Sequence, residues 1–299
     1  MLGLGMLTNL EKIDEALKSI QRHLDIQTDD YKTQYELAKT LFEALRGHRF
    51  SFSAEQWYCT RDVVKWSADG SPVLRLPQEL LLRAETREGE LIPPGPAVAA
   101  FVEFGLARLL DLFLLPEMIA YAREHNAFPI SVNISASAAT SDEFWEECLK
   151  DVHDHLAKGG QKTDVVFEIE RAAIESEAGR HAIAAVRREG FLFAIDDFYS
   201  DDFSDEQTHF ISRYIDFIKF TGPAVQQAME GKYNLEVLVQ QAREIGPNKL
   251  FVAKWVDSPE QALYLFSTYH IDAAQGRNLP ATLKDFVGLL RPHLKSAHA

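Results

Sequence analysis

Charged and amide side chains recur at or near the ends of apolar, strand-like runs along this sequence. In chain order they are Glu79 with Arg83, Asn133, Glu168, Asp196 with Asp197, Lys219, Lys254 and Gln275. A single such residue is usually a helix cap or a solvated edge charge. Repetition on seven successive strand candidates instead indicates one shared site, because the C-terminal ends of parallel barrel strands meet at the same face.

The oxygen donors in this set favour a hard metal ion. Carboxylate and amide oxygens suit Mg²⁺, Mn²⁺ or Ca²⁺, and they do not suit a thiolate-bound zinc. The candidate metal ligands are Glu79, Asn133, Glu168, Asp196 and Asp197. The adjacent carboxylates of Asp196 and Asp197 can bridge two ions, as hydrolysis of a phosphodiester by two metals requires. Without metal, carboxylates this close would repel one another and some would be protonated.

Two basic residues of the set suit phosphate chemistry. Lys219 can stabilise charge that develops on a phosphate or can orient a water molecule, so it is a candidate catalytic residue. Arg83 offers a planar fork of donors that matches phosphate oxygens or the edge of a guanine. Both assignments point to an anionic phosphate-containing ligand.

The elements that position these residues are strand candidates with helix-like segments between most of them. The candidates span residues 49–60, 72–85, 128–135, 163–170, 191–198, 215–220, 249–256 and 271–279. Several are nearly continuous apolar runs, which is typical of parallel strands buried on both faces. This alternation predicts an α/β fold, a TIM-like (β/α)8 barrel. The first two candidates are joined without room for a helix, so we expect an antiparallel first strand.

A helical extension precedes the barrel. The sequence predicts a helix from Asn9, capped by Thr8, and a second helical run around Tyr31–Leu45. We therefore predict an N-terminal helical extension at 1–45 and a barrel domain at 46–299. The first helix carries one apolar stripe, formed by Ile13, Leu17, Ile20 and Leu24. Such a stripe packs on its own domain or forms a seam with a homodimer or a protein partner, and both alternatives stay open here.

Composition excludes several classes of partner. The formal charge of −14 argues against coating a nucleic acid polymer or an anionic membrane, because such binding needs clustered Lys and Arg. The two cysteines, Cys59 and Cys148, lack CxxC spacing and are interpreted as reduced thiols. The most apolar stretch, 106–115, contains Arg108 and Asp111 and is too short to span a bilayer. We expect a cytoplasmic protein without a signal peptide or a membrane span.

In order and spacing, these fragments resemble the EAL family of cyclic-di-GMP phosphodiesterases from about Phe42 to Pro280. The fragments are Glu79-Leu80-Leu81-Leu82-Arg83 for ExLxR, Val132-Asn133-Ile134-Ser135 for VNxS, Glu168 for the first glutamate of ExxE, Asp196-Asp197-Phe198 for DDF, Phe217-Ile218-Lys219 for the lysine strand and Gln275-Gly276 for QG. The family's early QP strand is represented by Gln56 without its proline. Each fragment alone is weak, but together they are specific.

The resemblance implies a barrel that binds cyclic-di-GMP at its mouth and, in active members, linearises it with two Mg²⁺ or Mn²⁺ ions. It implies that the first ion is held by Glu79, Asn133, Glu168 and Asp196, and the second by Asp196 with Asp197. The ligand-binding residues that it implies are Gln56, Glu79, Arg83, Asp111 and Gln275.

The main departure from the family is Lys254. The family's EGVE segment reads Lys254-Trp255-Val256-Asp257 here, so a lysine replaces a glutamate that binds the second metal and is a candidate for activating the water. An ammonium about 4 Å from a unit charge interacts with it by about 4 kcal/mol at an effective dielectric near 20. Lys254 therefore opposes the second metal, or pairs with Asp196 or Asp197 in its place. Asp257 is a weak catalytic candidate because its reach is shorter.

Two further departures concern the loop after the aspartate pair. The family's DDFGTGYS reads Asp196-Asp197-Phe198-Tyr199-Ser200-Asp201-Asp202-Phe203, without either glycine. Arg171 stands where the second glutamate of ExxE normally stabilises that loop. In active members this loop couples dimerisation to metal binding.

The sequence favours a degenerate EAL domain, a cyclic-di-GMP receptor or signalling protein with lost or weak hydrolysis. One alternative is an active phosphodiesterase that requires Mg²⁺ or Mn²⁺ and produces pGpG; without activity, no cofactor is required. The other is a nucleotide-independent interaction domain that uses its N-terminal helices as the adaptor.

Overall fold

Strands and helices alternate along the residues described by the computed structural model, which are 4–24, 27–59, 76–199, 203–280 and 285–286. The strands are β1 (Phe50–Gln56), β2 (Tyr58–Cys59), β3 (Gln78–Glu85), β4 (Leu91–Ile92), β5 (Ile130–Ile134), β6 (Val165–Ile169), β7 (Leu192–Phe198), β8 (Phe217–Phe220), β9 (Leu250–Ala253) and β10 (Ala273–Ala274). The helices are α1 (Leu4–Gln21), α2 (Asp29–Arg46), α3 (Pro94–Glu103), α4 (Ala107–Glu124), α5 (Ala136–Ala139), α6 (Asp142–Ala157), α7 (Arg171–Glu175), α8 (Glu177–Arg188), α9 (Asp205–Tyr214), α10 (Gly222–Met229), α11 (Leu235–Ile245) and α12 (Pro259–Thr268).

The strands form one sheet that closes on itself. Its order is β1-β3-β5-β6-β7-β8-β9-β10-β2, and neighbours from β3 to β10 are parallel. At the two ends, β1 pairs antiparallel with β3, and β2 pairs antiparallel with β10. Only Trp57 separates β1 from β2. One chain segment thus joins both edges of the sheet, which confirms the TIM-like barrel and its antiparallel first strand.

Side-chain alternation divides the barrel interior into two layers. A small apolar cluster fills its lower part and includes Val166, Ala194, Phe217, Val252 and Ala273. Successive strand residues point to opposite faces, so the residue two positions later on each strand points inward again, one layer higher. Those next residues are Glu168, Asp196, Lys219, Lys254 and Gln275. The same strands that build the apolar floor therefore carry polar residues to the mouth.

The N-terminal helices pack on the barrel. Ile13 and Leu17 of α1 are buried in the same hydrophobic core as the barrel helices, and Ile20 and Leu24 pack against it. This confirms that the apolar stripe packs on its own domain, and it leaves no exposed seam for a partner along that stripe. A domain boundary between residues 45 and 46 stays a prediction. No helix in the described ranges combines the length and apolar character needed to cross a membrane.

The predicted start of the first helix was wrong. The helix begins at Leu4, so Thr8 lies inside α1 and does not cap it. The apolar residues before Thr8 continue the helix toward the N-terminus, and a threonine cap was not needed to begin it. Thr28 does cap the second helix, since its hydroxyl accepts a hydrogen bond from Tyr31 N at 3.3 Å.

Candidate active site

The polar layer converges around one buried ammonium group. Lys219 is fully buried, and its Nζ donates to Glu79 Oε2 at 3.0 Å and to Glu168 Oε2. It also lies 3.8 Å from Asp196 Oδ1 and 4.8 Å from the centre of the Trp57 ring. Burial lowers the pKa of Lys219, but the attraction of Glu168, Glu79 and Asp196 outweighs it and raises this pKa above its usual value. Lys219 is therefore a charged group.

Two carboxylates contact Lys219 and differ in protonation. Burial raises the pKa of Glu79, but Lys219 and hydrogen bonds from Gln275 and Asn133 lower it to about 2. Those bonds run from Gln275 Nε2 at 2.5 Å and from Asn133 Nδ2 at 2.7 Å. Burial and repulsion from Glu79 raise the pKa of Glu168 to about 8, against the attraction of Lys219. Glu79 is thus the carboxylate that its surroundings hold ionised, whereas burial and the charge of Glu79 shift Glu168 toward its protonated form.

A second ammonium, from Lys254, lies between the adjacent aspartates. Its Nζ donates to both Asp196 oxygens at 2.8 Å and to Asp197 Oδ1 at 2.9 Å. Burial lowers the pKa of Lys254, but the attraction of Asp196 and Asp197 outweighs it and raises this pKa. The backbone of Asp197 has φ 51°, in the left-handed region that few non-glycine residues adopt. The Lys254 ammonium thus lies between the two aspartates that were predicted to bind metal ions.

These residues do not fit a two-metal centre as they stand. Within the described ranges, no group of three or more acidic, histidine or cysteine side chains is arranged to hold a metal. The reason is visible in the contacts, because Lys219 and Lys254 lie among the same carboxylates that were predicted to bind the ions. Two oxygens of the cluster, Glu168 Oε1 and Gln275 Oε1, are buried and have no hydrogen-bond partner among the described residues. The predicted ligands converge, but two ammonium groups offset half of the charge of their four carboxylates.

Glu79 reaches this cluster from a position that the sequence placed wrongly. It is the second residue of β3 and does not lie at the C-terminal end of that strand. Only Gln78 and Glu79 pair with the parallel strand β5. The rest of β3 continues beyond the mouth in antiparallel pairing with β1, which carries Arg83 opposite Ser51. The parallel part of the strand thus ends at Glu79, and Arg83 lies farther out.

Three predicted ligand-binding residues lie outside the cluster. Gln56 Nε2 donates to the backbone carbonyls of Trp57 and Leu76 at 2.9 and 3.0 Å. Arg83 donates to the carbonyl of its neighbour Leu82 at 2.9 Å. The carboxylate of Asp111, on α4, accepts from Ser135 N at 2.9 Å and Ser135 Oγ at 2.6 Å. Their roles in binding a ligand stay predictions, because each is already engaged in the fold.

A cavity of about 460 Å³ opens above the cluster. Of the predicted residues, Glu79, Lys254, Asp257 and Gln275 line it. Sequence reasoning missed Glu55, Gln226 and Arg277 and left the role of Trp255 open; these residues line it too. Strand alternation could have found Glu55, which faces opposite to Gln56, whereas Gln226 lies on a helix and gives no signal in the sequence.

Comparison with known proteins places this architecture in a family. The family model described as EAL domain matches residues 75–280. The chain belongs to the EAL domain family. The matched range contains every predicted site residue except Gln56, which lies on the preceding strand. A search of curated proteins found no match.

Solved EAL structures share the fold at low sequence identity. The FimX EAL domain from Pseudomonas aeruginosa bound to c-di-GMP is 20% identical with a TM-score of 0.65, covering 82% of this chain and 95% of its own. The PaMucR phosphodiesterase in complex with c-di-GMP is 18% identical with a TM-score of 0.66, covering 82% and 96%. Vibrio cholerae LapD (S helix-GGDEF-EAL) bound to c-di-GMP is 15% identical with a TM-score of 0.64, covering 83% and 57%.

Proposed function

We propose that this EAL domain is a cytoplasmic receptor for cyclic-di-GMP whose hydrolytic activity is lost or weak. The observation that carries the proposal is the Lys254 ammonium, which lies within 2.9 Å of oxygens of both Asp196 and Asp197. The support for nucleotide binding is membership of the family together with a polar cavity at the barrel mouth.

Three features oppose hydrolysis. An ammonium group cannot bind and acidify a water molecule as a divalent ion does, so Lys254 does not replace the second metal in function. Lys219 is held in its charged form and has no free electron pair with which to take a proton from water. Asp257, the remaining candidate base, accepts a hydrogen bond from Gln226 Nε2 at 3.2 Å. No group in this set is arranged to generate the nucleophile.

The two ammonium groups reduce the repulsion that an anionic ligand would meet at the barrel mouth. A cluster of ionised carboxylates would repel a nucleotide that carries two phosphodiester charges. Here Lys219 and Lys254 offset two of the four carboxylate charges, and the pKa of Glu168 is raised by burial and by the charge of Glu79. The mouth therefore presents a weak repulsive field to an anionic ligand even without metal ions.

Calorimetry with cyclic-di-GMP tests the proposal. We expect binding both with Mg²⁺ and with EDTA, because the ammonium groups remain in place under either condition. Chromatography of the same samples should show no pGpG over hours with Mg²⁺ or Mn²⁺. Absence of nucleotide binding under both conditions would reject the receptor function.

An active phosphodiesterase is the second candidate. The observation that favours it is the convergence of the residues implied for the first ion, since Glu79, Glu168 and Asp196 all lie within 3.8 Å of Lys219 Nζ. Steady production of pGpG that disappears in Glu79→Ala would establish this activity. A protein complex that forms equally with and without nucleotide would instead favour the interaction domain.

A further inference from the structure

Trp255 presents a large aromatic surface to solvent at the mouth of the cavity. The residue is 55% exposed, and it lines the same cavity as Glu79 and Lys254. The other tryptophans in the described ranges, Trp57 and Trp145, are buried. An exposed indole does not contribute the stabilisation that its burial would give. Packing therefore does not explain a tryptophan ring exposed beside a polar cavity, and a role in binding does.

The indole packs closely against Gly222, the first residue of α10. A Cβ atom added to Gly222 would come within 2.1 Å of Cδ2 of the Trp255 ring. Only glycine allows this approach, and the contact covers part of one ring face. The remaining surface of the ring is open at the cavity.

The backbone at Trp255 is held in an uncommon conformation. Its φ is 57°, in the left-handed region that bulky residues rarely adopt. Gln226 Nε2 donates to the Trp255 carbonyl, and Val256 N donates to Gln275 O at 2.9 Å. The preceding residue, Lys254, is fixed by its aspartate contacts. Strain that the surroundings maintain in this way is typical of a functional position.

We propose that Trp255 stacks on a purine base of the nucleotide held in this cavity, an inference that rests on the proposed cyclic-di-GMP binding. A rigid, pre-placed indole offers a broad π surface at a small cost in conformational entropy. Arg277 lines the same cavity, and its side chain is 80% exposed and lies 3.5 Å from Glu55 Oε1. An exposed ion pair of this kind is weak, so the guanidinium is available to acceptor atoms of the ligand.

Substitution of Trp255 tests the stacking directly. The change Trp255→Gly removes the ring while relieving the backbone, because glycine adopts positive φ without strain. We expect it to raise the Kd for cyclic-di-GMP by about tenfold, in the range for loss of one aromatic–base stack. The matched control Trp255→Phe keeps an aromatic face and should change the Kd by less than about threefold. Melting temperatures of both variants check that the fold is intact.

A second route displaces the ring without changing it. In Gly222→Ala the added methyl group would overlap the Trp255 ring and displace it, so nucleotide affinity should fall. In the Trp255→Gly background the same Gly222→Ala change should have no further effect, because no ring remains to be displaced. Tryptophan emission should also be quenched by cyclic-di-GMP in the unmodified chain, and this quenching should be lost in Trp255→Phe.

The outcomes separate the two proposals. If calorimetry detects no binding to the unmodified chain, both the receptor function and the stacking are overturned. If the unmodified chain binds and Trp255→Gly binds equally well, the stacking alone is overturned. Additive effects of Gly222→Ala and Trp255→Gly would likewise contradict a shared action through the ring.

Discussion

The three oxygens around Lys254 Nζ, two from Asp196 and one from Asp197, lie at 2.8 to 2.9 Å from it. A divalent ion brought to the same oxygens would meet a repulsion of about 4 kcal/mol per unit of its charge, for a separation of about 4 Å and an effective dielectric near 20. Lys254 would have to leave before such an ion could bind. The charge of Lys254 thus opposes a divalent ion at the oxygens of Asp196 and Asp197.

Reversal of this charge should restore metal affinity. We expect Lys254→Glu to bind Mn²⁺ at least tenfold more tightly than the unmodified chain, because an attractive carboxylate replaces a repulsive ammonium. Lys254→Met is the matched control, since it removes the charge and keeps most of the length; it should fall between the two. An unchanged Mn²⁺ titration in Lys254→Glu would show that residue 254 does not control the ion.

The environment of the Asp111 carboxyl changes its titration. Burial raises its pKa to about 7, despite the hydrogen bonds that it accepts from Ser135. The folded chain therefore keeps a proton that the unfolded chain releases near pH 4, so the unmodified protein loses stability as pH rises from about 4 to about 7. The side chain at this position in the variant Asp111→Asn does not ionise, so the variant should not lose stability there as pH rises.

Urea unfolding at pH 5 and pH 8 measures the effect. The stability of Asp111→Asn minus that of the unmodified chain should increase by about 2 kcal/mol from pH 5 to pH 8. This value is below the full effect of the pKa shift, because partial solvent exposure screens the charge. A difference between the two proteins that is the same at both pH values would contradict the raised pKa.

The barrel strands position the site residues, and α1 packs against the hydrophobic core that surrounds those strands. Ile13 is fully buried in the core that α1 shares with the barrel helices, whereas Leu7 on the same helix is 45% exposed. Ile13→Ala should destabilise the whole molecule by about 2–4 kcal/mol in a single unfolding transition. Leu7→Ala is the control and should cost less than about 1 kcal/mol. An Ile13→Ala variant whose barrel unfolds unchanged would show that the N-terminal helices are a separable extension.

Strand alternation explains how much of the site was predictable. The sequence predicted the polar ends of β5 to β8 correctly because those strands are short, parallel and apolar up to the functional residue. It placed Glu79 wrongly because the antiparallel pairing with β1, which the sequence did predict, continues past the barrel mouth, while only Gln78 and Glu79 pair with the parallel strand β5. Gln56 was taken as a ligand contact, whereas its neighbour Glu55 faces the cavity.

At the scale of the whole molecule, barrel closure brings distant residues together. Glu79 and Gln275 are far apart in the chain and hydrogen-bonded at 2.5 Å across the closed sheet. The sequence predicted that such residues share a mouth, since parallel strands end at one face. It could not predict that burial would raise the pKa of Glu168, or that Gly222 would pack against the Trp255 ring, because both depend on contacts between separate elements.

We propose that this EAL domain binds cyclic-di-GMP without cleaving it because Lys254 occupies the place implied for a second metal ion. A single-turnover assay tests this most directly, with enzyme in excess over cyclic-di-GMP, Mn²⁺ present and pGpG measured by chromatography. The unmodified chain should retain intact nucleotide over hours, while Lys254→Glu produces measurable pGpG. Rapid conversion by the unmodified chain, abolished by Glu79→Ala, would show instead that the domain is an active phosphodiesterase.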